Sequence, residues 1–167
     1  MQTTEVAAPA PKTLYERMFD GQIPVHKLYE DTENGFLAFL DIKPATKGHT
    51  LVVPREPVDK IYDMSAARSI QLSQLTQVIS RHLQKQLSPL RVTEHVYGFQ
   101  VPHAHRMLVP SYERGDVAFL NDPKRMEQEV DNEALGELAD YLRFSPDEQE
   151  NTREYLRYLG GIVTDCT

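Results

Sequence analysis

Between Ala66 and Leu87 the apolar residues Leu72, Leu75, Ile79, Leu83 and Leu87 recur at steps of three and four, with Ser, Gln, Arg and Lys elsewhere. That period lays an apolar stripe along one side of a helix and predicts a long amphipathic helix over the segment. Upstream the pattern shortens. "HKLYE" and "GFLAFLDI" read as strands around the turn-rich "DTENG", "KPATKG" is a second turn, and "HTLVVP" is a third strand closed by Pro54. After the helix, "RVTEHVYGFQVPHAHRMLVP" reads as a strand, a tight connection near Gly98 and another strand.

The two ends carry helical signals. "TLYERMFDGQIP" puts Leu14, Tyr15 and Met18 at helical spacing, with Thr13 as N-cap and Gly21 as a stop. "DNEALGELADYLR" and "SPDEQENTREYLRYLGG" predict two C-terminal helices. The second opens on a capping box of Ser145 and Glu148, with Pro146 at its first position and Gly160 as its end. Residues 1–12, rich in Ala, Pro and Thr, read as a disordered lead-in. Sequential strands joined by turns, with helices before, between and after them, define an antiparallel α+β class.

Composition narrows the function. With 18 Lys and Arg against 25 Asp and Glu the net charge is −7, and no basic cluster offers the footprint of a nucleic-acid binder. A small phosphorylated ligand stays open, because backbone N–H groups can hold it without net positive charge. The single cysteine, Cys166, supports neither an internal disulfide nor a cysteine metal site. No signal-peptide core or membrane-length apolar run is present, so the expected setting is cytoplasmic, without membrane contact.

The chemistry concentrates in "GFQVPHAHRMLVP". On a strand, His103, His105 and Met107 would share one face and Ala104, Arg106 and Leu108 the other. Three readings follow. The imidazoles are polar core residues satisfied by hydrogen bonds. Or they ligate a metal, with His49, Asp41 or His95 as a further ligand. Or a neutral imidazole attacks phosphorus with its free lone pair, while a neighbour fixes its tautomer.

Three blocks in order, "LYERMFDGQIPVHKLYED", "FLAFLDIKPATKGHTLVVP" and "GFQVPHAHRMLVP", closely resemble the histidine triad (HIT) family of nucleotide hydrolases and transferases, from Thr13 to Pro110. The resemblance implies a five-stranded antiparallel sheet, a nucleotide-binding domain over residues 13–112 and a helical extension over 113–167. It also implies a homodimer, and chemistry on a purine nucleotide that needs no metal or other cofactor. His105 would be the nucleophile on the α-phosphate, forming a nucleotidyl-histidine. His103 would orient it and His49 would complete the relay. Asp41 would accept hydrogen bonds from the ribose hydroxyls, and Leu14, Tyr15, Met18, Phe39, Leu40 and Ile42 would wall the base pocket. Substrates of this kind are nucleoside phosphoramidates and dinucleoside polyphosphates.

Two departures qualify the resemblance. Met107 stands at the third triad position, where a thioether has no proton to donate. Arg106 would point to the opposite face; His95, on the preceding strand, is the better stand-in if the hairpin register brings it round. Before the triad Gly98 is kept, but Phe99 replaces a glutamine and Gln100 takes a hydroxyl position, from which it can still reach the phosphate. A second class of function therefore stands beside the enzyme: a nucleotide-binding or protein-interaction module with weakened catalysis.

Overall fold

The computed structural model describes residues 11–164, so most of the expected lead-in, and Cys166, lie outside the described residues. The order is α1 (Leu14–Phe19), β1 (Lys27–Asp31), β2 (Phe36–Leu40), β3 (Thr50–Pro54), α2 (Ala66–Leu87), β4 (Arg91–His95), β5 (Arg106–Ser111), α3 (Asn132–Leu142) and α4 (Pro146–Thr164). Short 3-10 segments lie at Ile61–Asp63, Asp116–Asn121 and Pro123–Glu127. The strands form one five-stranded sheet in the order β1-β2-β3-β5-β4, and every pairing is antiparallel. The α+β expectation holds.

Both faces of the sheet are covered, which is why β2 and β3 are buried at every position. Alternate residues then serve different cores. Phe36, Ala38, Leu40, Val52 and Leu108 pack against Leu72, Leu75, Ile79 and Leu83 of α2. Leu37, Phe39, Leu51, Val53 and Met107 join Tyr15 of α1 on the other side. The periodic stripe of α2 is thus its buried face, and Ser65 caps its start by accepting from the Arg68 N–H.

The C-terminal helices belong to the first core, through Ala139, Leu142 and Leu156. Side chains of α2 hold their backbone: His82 Nε2 meets the Leu142 carbonyl at 2.9 Å, and Gln71 Nε2 donates to the Leu156 carbonyl at 2.8 Å. Helix α4 starts on the expected capping box, Glu148 N–H to Ser145 Oγ and Ser145 N–H to the Glu148 carboxylate. It does not stop at Gly160 but runs on to Thr164. The glycine serves a close approach: a Cβ there would lie 2.7 Å from Gln71 Nε2.

The β4–β5 connection also differs from expectation. It is a loop over residues 96–105, not a tight turn, and β5 begins only at Arg106. The reason lies in a contact distant in sequence: the Ala104 N–H donates to the Val58 carbonyl at 2.6 Å, tying the main chain of this segment to the loop beyond β3. The alternation of faces survives without the ladder. Ala104 sits in the α2-side core, and Arg106 reaches Ser73 of α2 and Glu94.

Gly160→Ala and Gly161→Ala are expected to differ in sign. At Gly161 a methyl meets nothing within 4 Å, so the helix should gain up to about 1 kcal/mol from alanine's higher propensity. At Gly160 the methyl displaces Gln71 from its buried bond, a loss of about 1–3 kcal/mol that outweighs the gain. Urea unfolding of the two variants measures the difference.

Candidate active site

His103 is completely buried with both ring nitrogens engaged. Its Nε2 donates to the Pro54 carbonyl at 2.7 Å, leaving Nδ1 to accept from the Thr13 hydroxyl at 2.8 Å. The same hydroxyl accepts from the Glu16 N–H, so the N-cap of α1 also pins the ring. His105 Nδ1 donates to the main-chain carbonyl of His103 at 2.8 Å, which puts the free lone pair on Nε2. Tyr15 presents its ring edge-on to both imidazoles, with centroids 5.3 and 5.4 Å away.

His105 borders a cavity of about 550 Å³, within the range of small-molecule sites. The same wall carries Leu14, Tyr15, Met18, Phe39, Leu40, Asp41, Ile42, Gly98, Gln100 and Met107. The structure thus brings together the base-pocket, ribose and loop residues expected from the sequence. Leu14 and Ile42 are exposed, which marks them as cavity rim rather than core, whereas Phe39 and Leu40 serve both. Phe99 stands at the rim almost fully in solvent.

His103 and His49 do not border the cavity; they lie behind it. His103 steers His105 through its carbonyl, not its imidazole. His49 accepts at Nδ1 from the Ala45 N–H at 3.2 Å and lies 3.5 Å from Asp41 Oδ2. Among the described residues no hydrogen bond joins His49 to His103 or His105, and its Nε2 is buried without a partner. The register His95↔Met107 places His95 on the site face, beside the methionine. Its Nε2 meets Thr93 Oγ1 at 2.9 Å and its ring stacks on Tyr97, so it does not reach the cavity wall.

Sequence reasoning missed Arg125, Leu120, Asn121 and Met126, which close one side of the cavity from the two 3-10 segments after β5. Arg125 Nη1 lies 3.5 Å from both Asp41 Oδ2 and His49 Nδ1. Short 3-10 turns have no apolar period, and nothing in "NDPKRMEQ" announced the contact.

Burial dominates the electrostatics. Desolvation lowers the pKa of His105 against the opposing effects of the His103 carbonyl and Asp41, and lowers that of His103 likewise. It pushes His49 down to about 3, helped by the charge of Arg125. Asp41 is raised by burial, against the Lys43 N–H, Arg125 and His105. The nucleophile candidate is therefore a neutral imidazole with an open lone pair. A chelating reading of the H-x-H pair meets an obstacle, since His103 has no free nitrogen.

Such a sheet, with paired imidazoles leading into β5 and a carboxylate lining the same cavity, defines a protein of the histidine triad architecture. The chain belongs to the HIT family: the model described as "HIT domain" matches residues 20–114. Protein hit of Bacillus subtilis is 31% identical over 112 residues, 64% of this chain and 76% of its own. An adenosine 5'-monophosphoramidase of Schizosaccharomyces pombe is 29% identical over 98 residues, 58% of this chain and 72% of that one. The crystal structure of a HIT-like protein involved in cell-cycle regulation from Bartonella henselae superposes with a TM-score of 0.65. It is 24% identical, covering 81% of this chain and 98% of the other, and shares the fold.

The neutral rings set a pH dependence. Unfolded, each histidine titrates near 6.5; folded, His49, His103 and His105 take up protons only at lower pH. Below 6.5 the unfolded chain binds more protons, so stability falls with falling pH, by up to about 1.4 kcal/mol per pH unit for each ring. Asp41 acts oppositely, gaining stability as it is protonated, but toward the carboxylate range. Urea unfolding at pH 7.0 and 5.5 should show the loss, and His49→Asn a shallower slope. A flat profile would contradict the neutral assignment.

Proposed function

We propose that the protein hydrolyses or transfers the α-phosphoryl group of a purine nucleotide through a covalent intermediate on His105. The observation that carries this reading is the bond from His105 Nδ1 to the His103 carbonyl, because it leaves a lone pair on Nε2 of a cavity-facing ring. The likeness to an adenosine 5'-monophosphoramidase supports a phosphoramidate substrate; a dinucleoside polyphosphate presents the same α-phosphorus.

In the first step Nε2 attacks phosphorus, the N–P bond forms, and the bond to the leaving group breaks with the electron pair departing on that group. An amine takes up a proton from solvent as it leaves, equivalent to the one water releases in the second step. In the second, water attacks phosphorus, loses its proton, and the N–P bond breaks to restore the imidazole. Asp41 would hold the ribose hydroxyls, and Leu14, Met18 and Ile42 would flank the base. Gln100 has the donors to reach a phosphate oxygen. His49 would support the placement of Asp41 through its main chain, whose carbonyl accepts from the Asp41 N–H at 2.9 Å.

Met107 favours a second reading, a nucleotide-binding module with slow turnover. It borders the cavity yet belongs to the apolar cluster of Tyr15, Phe39 and Leu51. Losing one oriented donor at a developing charge costs about 3–4 kcal/mol, on the order of a hundred- to thousandfold in rate.

Incubation with adenosine phosphoramidate and diadenosine polyphosphate, with and without chelator, tests both readings. Chelator-resistant turnover that disappears in His105→Ala is expected. Tight nucleotide binding without turnover would instead establish the binding module. Met107→His reports whether the donor role is vacant: a gain of about tenfold or more would mark it as unfilled, and no gain with the fold intact would mean that another group already supplies the donor.

A further inference from the structure

We propose that Arg125, carried into the cavity by the segment after the HIT domain, contacts the phosphate of the bound nucleotide and supplies the donor that Met107 lacks. This rests on the nucleotide reading above and names a residue which that reading does not include.

Arg125 sits in Pro123–Glu127, beyond residues 20–114 that match the family model. Its side chain is 11% exposed, an unusual position for a guanidinium. A buried guanidinium offers five donors and demands partners for them. Here the contacts are long: Asp41 Oδ2 and His49 Nδ1, each at 3.5 Å, against about 2.7–2.9 Å for a charge-assisted bond. Its Nε is buried with no partner among the described residues. Asp41 cannot answer fully, because its Oδ1 accepts from the Lys43 N–H at 2.8 Å. The guanidinium is thus held at the cavity wall by one carboxylate while much of its hydrogen-bonding capacity is unmet.

An anion in the cavity would complete it. A phosphoryl group brought to His105 needs such a donor, since Met107 has no proton to give and Asp41 alone would repel it. Planar, bidentate recognition of phosphate oxygens is what a guanidinium does better than an ammonium. Lys43 also borders the cavity, but its Nζ is turned to the Gln128 carbonyl.

Calorimetric titration with adenosine 5'-monophosphate and with adenosine, on wild type and Arg125→Gln, separates the possibilities. The nucleotide should weaken at least tenfold in the variant while the nucleoside stays within twofold. Equal loss for both would overturn the proposal, reducing Arg125 to a prop for Asp41; so would no loss for either. Failure of wild type to bind either compound would instead remove the nucleotide reading, and this proposal with it. Arg125→Lys keeps the charge without the fork: monophosphate affinity should be intermediate with nucleoside affinity intact, and affinity no better than that of Arg125→Gln would count against a phosphate contact. In turnover, Met107→His should help Arg125→Gln by a larger factor than it helps wild type, because each would supply the same donor. Equal factors would overturn the shared role.

Discussion

The geometry of the site depends on one hydrogen bond, from His105 Nδ1 to the carbonyl of His103. It decides which nitrogen carries the proton, and therefore which faces the cavity with a lone pair. For that carbonyl to be in place, the segment before β5 must leave the sheet ladder, and the Ala104 bond to Val58 holds it there. The His103 ring fixes the segment from the other side, bridging the end of β3 at Pro54 and the cap of α1 at Thr13. A strand end, a helix start and a loop thus converge on one tautomer.

Burial then does two things at once. It keeps the imidazoles neutral at pH 7, which a nucleophile needs, and it raises the pKa of Asp41 against the pull of the Lys43 N–H and Arg125. The low dielectric that protects the lone pair also makes an incoming phosphate expensive unless oriented donors meet it. Backbone N–H groups and Gln100 are neutral donors. Arg125 is the cation lodged beside Asp41, and it enters from a part of the chain that the HIT domain match does not cover.

Much of this was legible in the residues. The spacing of Leu72, Leu75, Ile79 and Leu83 gave α2 its bounds and its buried face, because a single stripe must meet a sheet. The block around Asp41 and the H-x-H pair located the cavity wall. The failures share a cause. The length of the 96–105 loop, the role of Gly160 and the reach of Arg125 each depend on contacts between segments distant in sequence. Gly160 reads as a helix stop by local rule, yet its partner is Gln71, on another helix. His103 illustrates the subtler limit: its identity announced a catalytic side chain, while its backbone oxygen does the orienting.

Met107 is where these threads meet. Its neighbours across the sheet are Leu51 on β3 and His95 on β4, and it packs with Tyr15 and Phe39. An imidazole there would need a partner for its second nitrogen, and the adjoining row offers apolar atoms on one side and a histidine already bonded to Thr93 on the other. A thioether satisfies that surround without a hydrogen bond and leaves the position of His105 undisturbed. On the proposed reading, the groups that prepare His105 as nucleophile are present, and position 107 lacks one that would stabilise charge late in the reaction. Because preparation and stabilisation are separable physical tasks, the second can be moved to another segment, provided that segment is anchored as firmly as the sheet. Strand β5 before the segment that carries Arg125, and α3 after it, both packed into the main core, meet that condition.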